Sequence, residues 1–135
     1  MSRYVLDAGP IIDLLRGQPE GKFVADLLTQ TENSVYVHAL NWMEVFYDAS
    51  RESDVLQART FLAALEEDGL IRSELLDTQF CEDAAQLKAD WKKVSLADCC
   101  GVALARRVGA QLVTTDRHEL ENLSAAGVAD IIFTR

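Results

Sequence analysis

The sequence predicts a single α/β domain of three layers, in which helices cover both faces of a central, mostly parallel sheet of about five strands. Short apolar segments alternate with longer segments of helical spacing along the whole chain, and such alternation implies crossover connections between parallel strands. A length of 135 residues is that of one domain, so we expect residues 1–135 to share one core.

Glycine and proline residues separate the predicted elements. Gly9-Pro10 divides the first strand from the first helix, and Pro10 suits the first helical position because no N–H is needed there. Gly69, Gly109 and Gly127 are predicted helix stops. The predicted strands are 3–7, 35–38, 70–76, 111–115 and 131–133, and the predicted helices are 10–16, 20–31, 40–50, 53–68, 77–93, 95–109 and 117–126.

Charge and hydropathy argue against several classes of protein. Lys and Arg number 13 against 22 Asp and Glu, and the net charge of −9 argues against binding nucleic acid through a broad basic face. It does not exclude a nuclease whose affinity for phosphate comes from a bound metal. No apolar run approaches the ~18 residues that a membrane span requires. Arg3 and Asp7 interrupt any apolar core of a signal peptide, so we expect a cytoplasmic protein.

Four carboxylates are placed to meet at one edge of the predicted sheet. Asp7 and Asp116 follow the first and fourth strands, whereas Glu44 and Asp98 lie near the starts of helices. Ligands of parallel sheets collect at the carboxyl ends of the strands. Ionised carboxylate oxygens are the ligands that Mg²⁺ and Mn²⁺ prefer. The sequence therefore predicts a catalytic metal site formed by Asp7, Glu44, Asp98 and Asp116.

Each of these acids also has a local explanation. Asp7 could accept hydrogen bonds in the turn near Gly9, and capping boxes would explain the other three acids. The residue pairs of those boxes are Asn41 with Glu44, Ser95 with Asp98, and Asp116 with Glu119. Helix N-termini favour anions, so capping and metal binding are compatible and the local sequence does not separate them. Asp13 and Glu119 are further ligand candidates, for which a solvated helix face is the favoured interpretation.

The acidic motifs resemble those of the PIN-domain family. The residues that carry the resemblance are Leu6-Asp7, Glu44 within an apolar helix, Ser95-Leu96-Ala97-Asp98 and Thr114-Thr115-Asp116. In detail the chain is similar to the VapC-type toxins of prokaryotic toxin–antitoxin pairs, and the similarity covers nearly the whole chain, including its length and order of elements.

This resemblance implies a ribonuclease in which the four acids hold one or two Mg²⁺ or Mn²⁺ ions and RNA is the substrate. Ser95 and Thr115 are candidates for orienting the carboxylates through hydrogen bonds without contacting the metal themselves. The resemblance further implies a homodimer and a small antitoxin protein that inserts into an apolar groove near Leu14, Leu15 and Leu28.

Two other functions compete with this interpretation. The domain could be a non-catalytic PIN-like binding module that acts through a protein partner, with its acids serving only as helix caps. It could also be another magnesium-dependent α/β domain, but a haloacid-dehalogenase-like phosphatase would need a second Asp at position 9, which is Gly9. Arg117 could contact a phosphate of the substrate, but the favoured interpretation is that its side chain is exposed and solvated.

Overall fold

A five-stranded, fully parallel sheet forms the centre of the computed structural model, which describes residues 1–135. Its strand order is β3-β2-β1-β4-β5, so the first strand lies in the middle. This agrees with the predicted fold class. The strands are β1 (Arg3–Leu6), β2 (Ser34–His38), β3 (Leu70–Ser73), β4 (Gln111–Thr114) and β5 (Ile131–Phe133), and the helices are α1 (Ala8–Leu15), α2 (Gly21–Thr29), α3 (Ala39–Glu52), α4 (Val55–Glu67), α5 (Thr78–Asp90), α6 (Leu96–Val108) and α7 (Arg117–Ala125).

The sheet separates two apolar cores. Successive side chains of a strand point to opposite faces. Accordingly Val5 and Leu112 belong to a core shared with α5, α6 and α7, whereas Leu6 and Val113 belong to a core shared with α1 to α4. In the parallel register Val5 lies beside Leu112, and Leu6 beside Val113. The two layers of helices therefore cover opposite faces of β1 and β4.

Several predicted boundaries differ from the structure, and two of them lie next to the carboxyl ends of β3 and β1. The third strand ends at Ser73 instead of residue 76, because its ladder partner β2 ends at His38 where α3 begins. The first helix begins at Ala8 and is capped by Asp7, so Pro10 is its third residue, not its first. Proline is tolerated there because the N–H groups of the first turn have no partner within the helix.

The end of α6 follows the prediction. Gly109 is its C-cap residue and adopts a left-handed conformation with φ of 68°. Glycine takes this conformation without the steric cost that a Cβ would add. The chain then turns directly into β4, which carries the residues of the site described below. Among the seven helices of the structure, none has the length and apolar character required to span a bilayer.

Candidate active site

Five carboxylates line one open cavity of about 340 Å³ at the carboxyl edge of the sheet, and no lysine or arginine lines it. The four predicted acids, Asp7, Glu44, Asp98 and Asp116, all belong to it, and Glu119 is the fifth. The structure thus brings the predicted residues together. It also places Glu119 at the cavity instead of on a solvated helix face.

Asp7 is the most buried of the five acids. It follows β1 and caps α1, and its Oδ1 accepts a hydrogen bond from the Ala8 N–H at 2.9 Å. Its Oδ2 accepts a second bond from the Thr114 hydroxyl at 2.8 Å. Burial raises the pKa of the Asp7 carboxyl, and the Thr114 hydrogen bond opposes that rise. Both oxygens are therefore oriented before any ligand binds.

Thr114 joins two of the acids through one buried hydroxyl. Besides donating to Asp7, its Oγ1 accepts a hydrogen bond from the Asp116 N–H at 3.1 Å. The sequence predicts the neighbouring Thr115 for this role, whereas the structure gives it to Thr114. Thr115 lines the cavity and packs over Gly9 so closely that a Cβ at residue 9 would collide with its hydroxyl. The register of β4 beside β1 determines that Thr114, and not Thr115, reaches Asp7, and a single sequence does not reveal that register.

Asp98 enters the cavity from the first turn of α6. Ser95 caps this helix, and its hydroxyl accepts the Asp98 N–H at 3.2 Å. In a complete capping box the Asp98 side chain would reach back to the Ser95 N–H. In this structure the Ser95 N–H instead contacts Glu119 Oε2 at 3.4 Å, which leaves the Asp98 carboxyl for the cavity.

Asp98, Asp116 and Glu119 form the tightest group. One carboxylate oxygen of each lies within 4.8 Å of those of the other two. Burial and then the negative charge of Asp7 raise the pKa of Asp98 to about 10. The pKa of Glu119 is lowered, chiefly because its carboxylate accepts a hydrogen bond from Asp98. At neutral pH the ligand-free acids therefore share a proton instead of all being ionised, and the raised pKa favours Asp98 as its holder.

Glu44 lies on α3 at the rim of the cavity and is exposed. Partial desolvation, followed by the charges of Asp7 and Glu119, raises its pKa. The predicted capping box with Asn41 is wrong, because α3 begins at Ala39 and His38 caps it. Asn41 is buried and donates its Nδ2 hydrogen to the Ala97 carbonyl at 3.2 Å. This bond holds α3 against the start of α6, next to Asp98.

Two other residues that the sequence offered as candidate ligand or phosphate contacts, Asp13 and Arg117, do not line the cavity. Asp13 is buried, not solvated, and pairs with Arg135 at 3.1 Å, so it does not line the cavity. Arg117 is exposed, as favoured, but its Nε donates to the Arg135 carbonyl at 2.8 Å and its guanidinium stacks 4.7 Å from the centre of the Phe133 ring.

A separate apolar groove of about 490 Å³ lies between α1, α2 and α4. Leu14, Leu15 and Leu28, named in the sequence analysis, line it together with Phe61 and Leu65. It shares no residue with the acidic cavity.

The fold and the cavity define a class of parallel α/β domain with an acidic site at the carboxyl edge of its sheet. The PIN domain family model matches residues 4–125. The chain therefore belongs to the PIN domain family. No curated protein matches it in sequence.

Solved structures with this fold include toxin–antitoxin complexes. A toxin–antitoxin complex from Klebsiella pneumoniae has a TM-score of 0.74 at 20% identity, over 98% of both chains. DNA-bound VapBC from Salmonella typhimurium has a TM-score of 0.74 at 17% identity, over 100% of both chains. The sarcin–ricin loop cleaving toxin VapC20 of Mycobacterium tuberculosis has a TM-score of 0.66 at 16% identity, over 92% of this chain and 95% of that one. At these identities the likeness establishes the fold.

Proposed function

We propose that the chain is a metal-dependent ribonuclease, a single PIN-like nuclease domain that hydrolyses RNA phosphodiester bonds and serves as the toxin of a toxin–antitoxin pair. The observation that carries the proposal is the cavity of five carboxylates without a lysine or arginine. Membership of the PIN domain family and the fold shared with the toxin VapC20 support it.

The donor set fits a divalent cation. All side-chain oxygens of the tight group are carboxylate oxygens, which hard cations such as Mg²⁺ and Mn²⁺ prefer to nitrogen or sulfur. Burial, and then the negative charge of Asp7, raises the pKa of Asp98, and no lysine or arginine lines the cavity to offset that charge. Asp98, Asp116 and Glu119, whose oxygens lie closest together, would hold the ion together with Asp7, and Glu44 would lie beside them at the rim. When bound, such an ion supplies Lewis acidity and lowers the pKa of a bound water.

The residues of the chain prepare this site in three ways. Thr114 orients Asp7 and counteracts the rise of its pKa. Ser95 fixes the first turn of α6 and so the position of Asp98. Asp98 holds a proton that must leave before both of its oxygens become ligands. Cation affinity should therefore increase with pH.

The partner that we propose is an antitoxin whose apolar segment occupies the groove between α1, α2 and α4. A groove lined mainly by leucine, alanine and phenylalanine suits the apolar face of a short helix. Several structures that share the fold are toxin–antitoxin complexes, which supports this assignment. A homodimer belongs to the same proposal.

The test is RNA cleavage by the purified protein with Mn²⁺, with EDTA, and with Mn²⁺ restored. Asp116→Asn removes one ligand charge, and Asp26→Asn is the matched control, because Asp26 is an exposed residue of α2 outside the cavity. We expect cleavage by the parent and the control only, and only with metal. Cleavage that persists in EDTA would contradict the proposal. Absence of Mn²⁺ binding by calorimetry would instead favour the non-catalytic binding module.

A further inference from the structure

The loop between α5 and α6 leads directly into the acidic cavity. It comprises residues 91–95, and its last residue, Ser95, both caps α6 and lines the cavity. The loop backbone is fixed by Lys88, whose Nζ donates to the carbonyls of Lys92 and Val94, both at 2.8 Å. The loop therefore has a defined position relative to Asp98, three residues beyond Ser95.

Two exposed lysines of this loop have no partner. Lys92 and Lys93 form no ion pair, and their side chains make no hydrogen bond. Together with Lys88 they are three of the four lysines in the chain. Most arginines, by contrast, bind carboxylates or backbone carbonyls within the protein.

The remaining unpartnered cations lie elsewhere. Arg59 belongs to α4, which contributes no residue to the cavity. Arg106 lies eight residues beyond Asp98 on α6, which corresponds to roughly 12 Å along the helix axis. Lys92 and Lys93 are thus the unpartnered cations closest in the chain to a residue of the site.

A polyanion that approaches the cavity meets strong repulsion. The protein carries a net charge of −9, and five acids surround the cavity. Beyond about 8–10 Å salt screens exposed charges at physiological ionic strength, so only nearby cations can offset this repulsion. Exposed lysines bind phosphates as flexible point charges and carry no base selectivity.

We propose that Lys92 and Lys93 bind backbone phosphates of the RNA strand next to the acidic cavity, with Lys88 holding their loop in place. The inference rests on the proposed ribonuclease function and names the surface that compensates for the acidic charge. These lysines supply affinity for the strand, and the acids supply the chemistry.

The test compares two double variants of equal net charge. Lys92→Gln/Lys93→Gln removes the loop cations, and Lys22→Gln/Arg59→Gln removes two exposed cations from α2 and α4, which contribute nothing to the cavity. Binding of a fluorescein-labelled oligouridylate is measured by fluorescence anisotropy over a range of salt concentrations, and kcat and KM are measured with Mn²⁺.

For the loop variant we expect Kd and KM to rise about tenfold at low salt, with kcat unchanged. The slope of log Kd against log salt should fall by about 1.4, because each phosphate contact on a single strand contributes ~0.7. The control should match the parent. Equal slopes for the two double variants would overturn the inference while leaving cleavage by the parent, and hence the proposed function, intact. Lysine-dependent binding by a parent that never cleaves RNA would support the inference and refute the nuclease function.

Discussion

Replacement of Asp98 by Asn tests whether the acids share one cavity. The pKa of Asp98 is raised from 3.8 to about 10 in the ligand-free protein, and the residue is only 8% exposed. A folded pKa above the unfolded value means that the native state binds more protons than the unfolded state. This contribution to stability is therefore fully present below about pH 4 and is lost as pH rises towards the folded pKa.

The magnitude follows from that window. One pKa unit corresponds to about 1.4 kcal/mol, so protonating Asp98 on folding at pH 7 costs up to about 4 kcal/mol. At pH 5 the same cost is roughly 1.5 kcal/mol. Asn is isosteric, needs no proton and still donates a hydrogen bond to the neighbouring carboxylates. In EDTA, Asp98→Asn should therefore exceed the parent in free energy of unfolding by about 2–4 kcal/mol at pH 7, and by less at pH 5.

Urea unfolding of both proteins at several pH values provides the assay. Excess Mg²⁺ or Mn²⁺ should reduce or reverse the difference in free energy of unfolding between the two proteins. At a metal concentration one hundred times Kd, binding stabilises the parent by about 2.7 kcal/mol and the variant by less. A variant that is destabilised equally at every pH, with and without metal, would identify Asp98 as an ordinary helix-capping residue. The shared acidic cavity would then have to be abandoned.

Four further outcomes are expected. Asp7→Asn should lower the rate of RNA cleavage by ~10²-fold or more while circular dichroism shows a normally folded protein. Near-normal turnover by this variant would contradict the assignment of Asp7 to the metal site. After chelation, Mg²⁺ or Mn²⁺ should restore cleavage, whereas Ca²⁺ should bind in calorimetry without supporting turnover, because its coordination is looser. Thr114→Val should lower the free energy of unfolding in urea by about 1–3 kcal/mol and reduce activity, whereas Thr114→Ser should retain both. A Val variant with unchanged stability and activity would refute the role of the hydroxyl. Lys88→Met should lose about 1–3 kcal/mol through its two carbonyl contacts, whereas Lys22→Met, which breaks only an exposed pair with Asp26, should lose at most about 0.5 kcal/mol.

The fold could be predicted because its signals are local. Alternating strands and helices imply a parallel sheet, and glycines such as Gly109 end helices at the predicted positions. The boundaries that differ depend on distant partners. The strand from Leu70 ends where β2 ends, and α5 ends at Asp90 where the chain turns back under Lys88. Neither cause is visible within the segment itself.

The site was predictable to the level of its acids but not of their contacts. Asp7 and Asp116 follow strands, so the topology alone brings them to one edge. The partner of Asp7 is Thr114 because β4 lies beside β1 in a particular register. Glu119 comes to the cavity because α7 packs next to the start of α6, where it replaces Asp98 in the bond to Ser95. Both facts are tertiary and lie beyond the reach of a single sequence.

The position of β1 between two separately packed layers has a consequence for synthesis of the chain. Asp7 emerges first from the ribosome, whereas Asp116 and Glu119 follow more than one hundred residues later. The layer of α1 to α4 packs on β1, β2 and β3 and contains only Asp7 and Glu44 of the five acids, whereas β4, which lies beside β1, comes from the C-terminal part of the chain. No nascent fragment that stops short of residue 116 holds the complete group of acids. A translation product that ends before residue 119 therefore lacks at least one of the five acids that line the cavity.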